Sequence, residues 1–161
     1  MRVSSRQVCI VGNTTSRDQH WTEQMARNLS LAEMSFLSRC RYLLHDREAK
    51  FCAAFDGILK GVGIQAVKLP PHSPNLNAHL ERWHRCVQEE CLSKLILFSE
   101  RSLRHGLCEY VSHFHTERNH QGKSNVILFP APADRVGQTA GEIRTRERLR
   151  GLLKFYCREA A

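Results

Sequence analysis

The sequence predicts an α/β layer architecture, with short apolar strands alternating with amphipathic helices. Two observations lead there. Compact apolar runs closed by turn residues recur along the first half of the chain, and helical-period stretches lie between them. The chain has 161 residues, 42% of them apolar, which suits one globular domain with a real core. No internal repeat is present, and no linker is long enough to divide the chain.

The elements follow in order. QVCIVG (7–12) is a short apolar run closed by a glycine and the turn-forming NTTS, and reads as a strand. From Asp18, a plausible N-cap, Trp21, Met25, Leu29, Ala32 and Phe36 recur at helical spacing. Residues 42–45 form a compact strand ending at Asp46, and 51–62 a helix with Phe51, Phe55, Ile58 and Leu59 on one face. Gly61 and Gly63 end that helix, and IQAVKL (64–69) reads as a buried strand stopped by Pro70 and Pro71. PPHSPNLN (70–77) is a loop. A helix from about Ala78 carries Leu80, Trp83, Val87 and Cys91 inward. Another, over 99–115, opens on a serine cap and carries Leu103, Leu107, Tyr110, Val111 and Phe114. After the proline-marked break FPAPAD comes a basic tail, GEIRTRERLRGLLKFYCREAA.

Charge narrows the functional classes. With 24 Lys+Arg against 16 Asp+Glu, the net charge is +8 and the pI about 9.4, which points to a polyanionic partner. No apolar run approaches the roughly 20 residues of a membrane-spanning helix. The first residues lack the apolar stretch of a secretory signal. Collagen, coiled coil and low-complexity disorder are excluded by composition and period. The seven cysteines (Cys9, Cys40, Cys52, Cys86, Cys91, Cys108, Cys157) are odd in number, and none shows the paired spacing of a structural zinc site. They read as free thiols in a reducing compartment. A zinc-stabilised interaction module, built from them with His79, His84, His113, His115 and His120, is an outside alternative.

Two acids sit where chemistry is possible. Asp46 follows an apolar strand, so its carboxylate should emerge at the sheet rim, where ligands of α/β proteins gather. It reads equally as the cap of the next turn. Glu81 lies in the first turns of the helix after the proline loop, as a ligand or as a partner of the helix dipole. Periodicity alone leaves both choices open.

The segments HDREAKF (45–51), LPPHSPNLNAHLERWHRCVQEECL (69–92) and YVSHFHTERNHQG (110–122) resemble the integrase-core transposases, DDE polynucleotidyl transferases related to retroviral integrases. In that family an aspartate ends a strand within H-D-R-x-x-x-F, the place of Asp46. A glutamate opens a helix within S-P-x-x-N-A-x-x-E-R, the place of Glu81, with 34 residues between it and Asp46. The pattern Y-x-x-H-[FY]-x-x-x-R-x-H-x-G matches at Tyr110, His113, Phe114, Arg118, His120 and Gly122. The resemblance runs from about residue 2 to residue 130.

It implies an RNase H-like fold, a mixed sheet flanked by helices, over 1–130, with 131–161 as a basic C-terminal extension. It further implies catalytic carboxylates at Asp46 and Glu81 that hold Mg²⁺ or Mn²⁺ for phosphoryl transfer on DNA. Arg47, Lys50, Arg82 and Arg85 stand close to these acids in sequence and are the candidate phosphate contacts. The implied partner is DNA, with a homo-oligomer assembling on it, no membrane and no small-molecule substrate; the implied location is cytoplasmic and DNA-associated.

One departure stands out. The family's third acid belongs to D-x-[ST]-[ST]-R-x-V; laid on V-S-S-R-Q-V (3–8), the aspartate position falls on Arg2. A guanidinium there changes the local charge by two units and removes a coordinating oxygen. The expectation is a core with its first strand truncated and its DNA transfer impaired, with no helix-turn-helix domain ahead of it. The alternative is an inactive remnant that binds DNA non-specifically through its basic surface. The tail arginines (Arg144, Arg146, Arg148, Arg150, Arg158) read as a DNA contact or, somewhat better, as one solvated helix face.

Overall fold

The computed structural model describes residues 1–31, 36–131 and 141–158, and resolves two compact units. One is Cys9–Ala78; the other joins Met1–Val8 to His79–Ala161. Ala32, the 132–134 part of the proline-marked break and residues 159–161 of the tail lie outside the described residues.

In the Cys9–Ala78 unit, helix α1 (Gln19–Leu31) starts where the cap signal places it. The Asp18 carboxylate accepts the Trp21 N–H at 2.7 Å, and the Thr22 hydroxyl donates to the Asp18 carbonyl at 2.9 Å. Strand β1 (Tyr42–His45) pairs in parallel with β2 (Gln65–Lys68), Tyr42 opposite Gln65 and His45 opposite Lys68. Helix α2 (Ala53–Gly61) connects them, as parallel strands require a crossover. Ala26, Leu37, Phe55, Leu59 and Ile64 are its buried core, with Leu43, Phe51, Ile58 and Ala66 packed around them. Gly63 takes φ +78° after the helix, a left-handed position that a side chain would strain. β2 is less buried than its apolar run suggests: Gln65 and Lys68 are exposed, and Ala66 and Val67 half-buried. A two-stranded ladder has no neighbour to cover its outer edge, which explains the difference.

In the other unit, α3 (Ala78–Glu90) buries Trp83 and Val87, and Cys91 follows fully buried. Helix α4 (Glu100–Thr116) opens on Ser99, whose hydroxyl accepts the Ser102 N–H at 3.2 Å while the Ser102 hydroxyl accepts the Ser99 N–H at 3.0 Å. Tyr110 and Phe114 of the expected stripe are buried, and Leu103, Leu107 and Val111 half-buried. A two-residue ladder of β3 (Asn119–His120) and β4 (Val126–Ile127) follows.

Two expectations are corrected. Residues 7–12 are not a strand: the Val8 N–H goes to His115 Nε2 at 2.9 Å instead of to a ladder. The tail is not a helix face. It is an antiparallel hairpin of β5 (Ile143–Arg148) and β6 (Leu153–Arg158), turned through Leu149, Arg150 and Gly151, all at positive φ. Leu153 and Phe155 are buried, and that apolar alternation favours the ladder. The mixed α/β class holds, and the described residues carry three two-stranded ladders. All seven cysteines are free. No described helix is long and apolar enough to cross a membrane.

Candidate functional site

Asp46 emerges at the C-terminal end of β1, where the apolar run stops. It is exposed, and its Oδ1 accepts the Glu48 N–H at 3.2 Å, so the carboxylate closes its own turn. Just before it, buried His45 donates from Nδ1 to the Asp46 carbonyl at 2.7 Å and stacks against Phe51 and Phe55. Arg47 is exposed and donates through Nε to the Leu69 carbonyl at the end of β2, 3.1 Å away. That bond fixes the stem and leaves the two terminal nitrogens toward solvent. Lys50 is committed to Glu48 in an ion pair, and its ammonium lies 5.3 Å from the Phe51 ring centre. The Lys50 hydrogen bond is the main reason the Glu48 carboxyl sits below its ordinary value. The positive charge at Lys50 is therefore largely spent locally.

Glu81 lies in the first turn of α3, and Arg82 and Arg85 follow on neighbouring turns. All three are exposed. Among the described residues none of their side chains makes a hydrogen bond or ion pair with another. Glu81 and Asp46 belong to different compact units, and each is placed within its own.

The 110–122 pattern turns out to be architectural. The Tyr110 hydroxyl donates to Glu90 Oε2 at 2.9 Å, and Arg118 donates to both oxygens of the same carboxylate, its Nε at 3.0 Å from Oε2. Burial, then the Glu90 charge, pushes the Tyr110 phenol far up. Phe114 carries His120 edge-on at 4.5 Å and Arg118 above its ring at 5.8 Å. His120 also donates from Nε2 to the Phe114 carbonyl at 2.8 Å. Tyr110, Phe114, Arg118 and His120 thus tie the end of α4 to α3 or to β3.

A second network escaped the sequence reading altogether. Glu117 is only 4% exposed yet charged. It accepts from His113 Nδ1 at 3.0 Å, and from Arg148 Nε and Nη2 at 2.9 and 2.8 Å. Arg148 also reaches Glu109 at 3.1 Å. Burial pushes the Glu117 carboxyl up, but the Arg148 and His113 hydrogen bonds outweigh it and hold it at about 2. A sequence signal existed: His113 and Glu117 are four apart and continue the Tyr110–Phe114 stripe, so both had to point inward. Arg148, on a hairpin the sequence did not reveal, had none.

Residues 62–126 match the family model described as an integrase core domain. This stretch is of integrase-core type. The integrase-core stretch holds Glu81, Arg82, Arg85, the Glu90–Tyr110–Arg118 cluster and buried Glu117, while Asp46 and Arg47 lie ahead of it. No curated protein and no solved structure matches the chain. Integrase core domains usually depend on a metal ion. Among the described residues, however, no three His, Cys, Asp or Glu side chains are grouped to hold one. One Asp46 oxygen is used by its own turn.

Proposed function

We propose that this chain acts on DNA in integration, as the core of a transposase or integrase. Asp46 and Glu81 are the surviving carboxylates of a phosphoryl-transfer site, within an RNase H-like core over 1–130 that residues 131–161 extend. The observation that carries this reading is the integrase-core match, with unpaired Glu81, Arg82 and Arg85 together on α3. The arginines suit phosphate contact, positioning a duplex without reading its bases. Arg47 adds a third guanidinium held by its Nε alone. Seven free thiols and a DNA partner suit a reducing, cytoplasmic setting.

Arg2 in the third acid's place brings positive charge where a divalent cation would bind. That residue favours a second reading for the isolated chain: it holds DNA without completing transfer. Binding and strand transfer on labelled duplex DNA, with Mg²⁺ or Mn²⁺ present, separate the two. Salt-sensitive binding with no transfer is expected. Binding that stays flat as salt rises refutes the DNA reading, and robust Mg²⁺-dependent transfer refutes the impairment.

A further inference from the structure

Between α3 and α4, the apolar residues 95–98 hold two large side chains out in water. Leu95 is extended and seats its Cδ1 against Gly106 of α4, 2.9 Å from where a β-carbon would stand there. Just upstream, the Cys91 thiol donates to the Gly106 carbonyl at 3.8 Å. With the segment pinned at that end, Ile96 is 79% exposed and Phe98 87%. Phe98 directly precedes Ser99, the cap of α4, a place from which an apolar side chain commonly folds onto the residue five further on, here Leu103. Its exposure shows that it does not, so the ring is left for something else. The surroundings are cationic. Residues 94–105 hold Lys94, Arg101 and Arg104 against one acid, Glu100. Arg101, Arg104 and His105 share one face of the first turns of α4, at spacings of three and four. Lys94, Arg101 and Arg104 are exposed, and none of their side chains makes a hydrogen bond or ion pair among the described residues.

We propose that Ile96 and Phe98 form a stacking platform for the unpaired bases of a single DNA strand, whose phosphates Lys94, Arg101 and Arg104 hold. The inference rests on the DNA reading and adds to it the form of DNA taken here, on elements other than those that carry Arg82 and Arg85. Every base offers a flat face to an exposed ring, and every nucleotide offers a charge to an exposed cation. One strand therefore satisfies both features at once. A duplex keeps its bases stacked on one another, so it meets the cations and leaves the ring idle. An apolar peptide laid along the segment would cover Ile96 and Phe98 but leave the three cations without counter-charge. The seat of Leu95 on Gly106 fixes the platform in advance, which limits the ordering that a strand must impose when it arrives.

The test is fluorescence anisotropy of the full chain with three labelled probes: a short oligothymidylate, an abasic strand of equal length, and a duplex. The wild type should bind the oligothymidylate about tenfold more tightly than the abasic strand. Phe98→Ser, at an exposed position, should keep the fold by circular dichroism, erase that preference and leave duplex binding unchanged. Phe98→Trp should retain the preference. Arg101→Ala should weaken both single strands alike and lower the salt slope of each by about 0.7. Equal binding of the two single strands by the wild type overturns the proposal, while duplex binding in the same series keeps the DNA reading standing. A preference that survives Phe98→Ser, or is lost in Phe98→Trp, overturns it as well. If neither single strand nor duplex binds, the DNA reading itself fails and this inference falls with it.

Discussion

Replacing Glu117 with glutamine removes one charge and almost no volume, and isolates what that buried carboxylate contributes. In the native chain it accepts from His113 and twice from Arg148. Glutamine presents an NH₂ toward one of those donors, so at least one hydrogen bond becomes a donor facing a donor. The magnitude follows from linkage. The carboxyl moves from an ordinary 4.5 to about 2. At about 1.4 kcal/mol per pH unit, that gap is worth about 3 kcal/mol at neutral pH. Arg148 is 20% exposed, and the resulting screening brings the expectation to about 2–3 kcal/mol. With a urea dependence of about 1–3 kcal/mol per molar, the unfolding midpoint should fall by about 1–2 M at pH 7. The sign also follows. A carboxyl depressed on folding stabilises above its unfolded value, and that stability is lost as pH falls from about 4.5 through about 2. The stability difference between wild type and Glu117→Gln should therefore shrink over that window. A difference that is absent at pH 7, or that stays constant down to pH 2.5, refutes the reasoning.

Other outcomes follow from the same geometry. His115 Nε2 accepts the Val8 N–H, which needs the neutral ring, and burial, with His120 beside it, keeps the His115 value below the ordinary 6.5. That stability should be complete above pH 6.5 and decline as pH falls below it, read as faster amide exchange at Val8. Arg118→Met strips Glu90 of its double donor and should cost about 1–2 kcal/mol, less in high salt, by urea unfolding. Leu59 is fully buried, and Leu59→Ala should cost about 2–5 kcal/mol in the same measurement. For DNA, Arg82→Ala and Arg85→Ala should each lower the salt slope of binding by about 1. Asp46→Asn and Glu81→Gln should leave that binding intact or slightly stronger, with any divalent-ion binding, followed by calorimetry, abolished.

What could be read beforehand was local. Asp18 and Ser99 announced their helices because a cap is one side chain bonding an N–H three residues on. Strand β1 was legible as an apolar run stopped by Asp46. Residues 7–12 had the same look and became no strand, since a ladder needs a neighbour that the run itself does not encode. The hairpin was misread because its arginines mask a two-residue alternation, visible only once Leu153 and Phe155 are known to be buried. At the candidate site, the exposure of Glu81, Arg82 and Arg85 agrees with their helix positions. Resemblance could not tell chemistry from scaffolding: Tyr110, Arg118 and His120 recur as a motif, and here they bond Glu90 and backbone rather than facing a substrate.

The unit built from both ends of the chain sets a schedule for its own synthesis. His115 and Lys123, which receive Val8 and Ser4, are translated more than a hundred residues after them. The intervening unit, continuous in sequence from 9 to 78, has all its core residues translated well before that. It is free to collapse while residues 1–8 wait for their partners. Strand β6, made after β5, closes the hairpin whose Arg148 neutralises Glu117, so the discontinuous half acquires its buried ion pair only after helix α4 is complete.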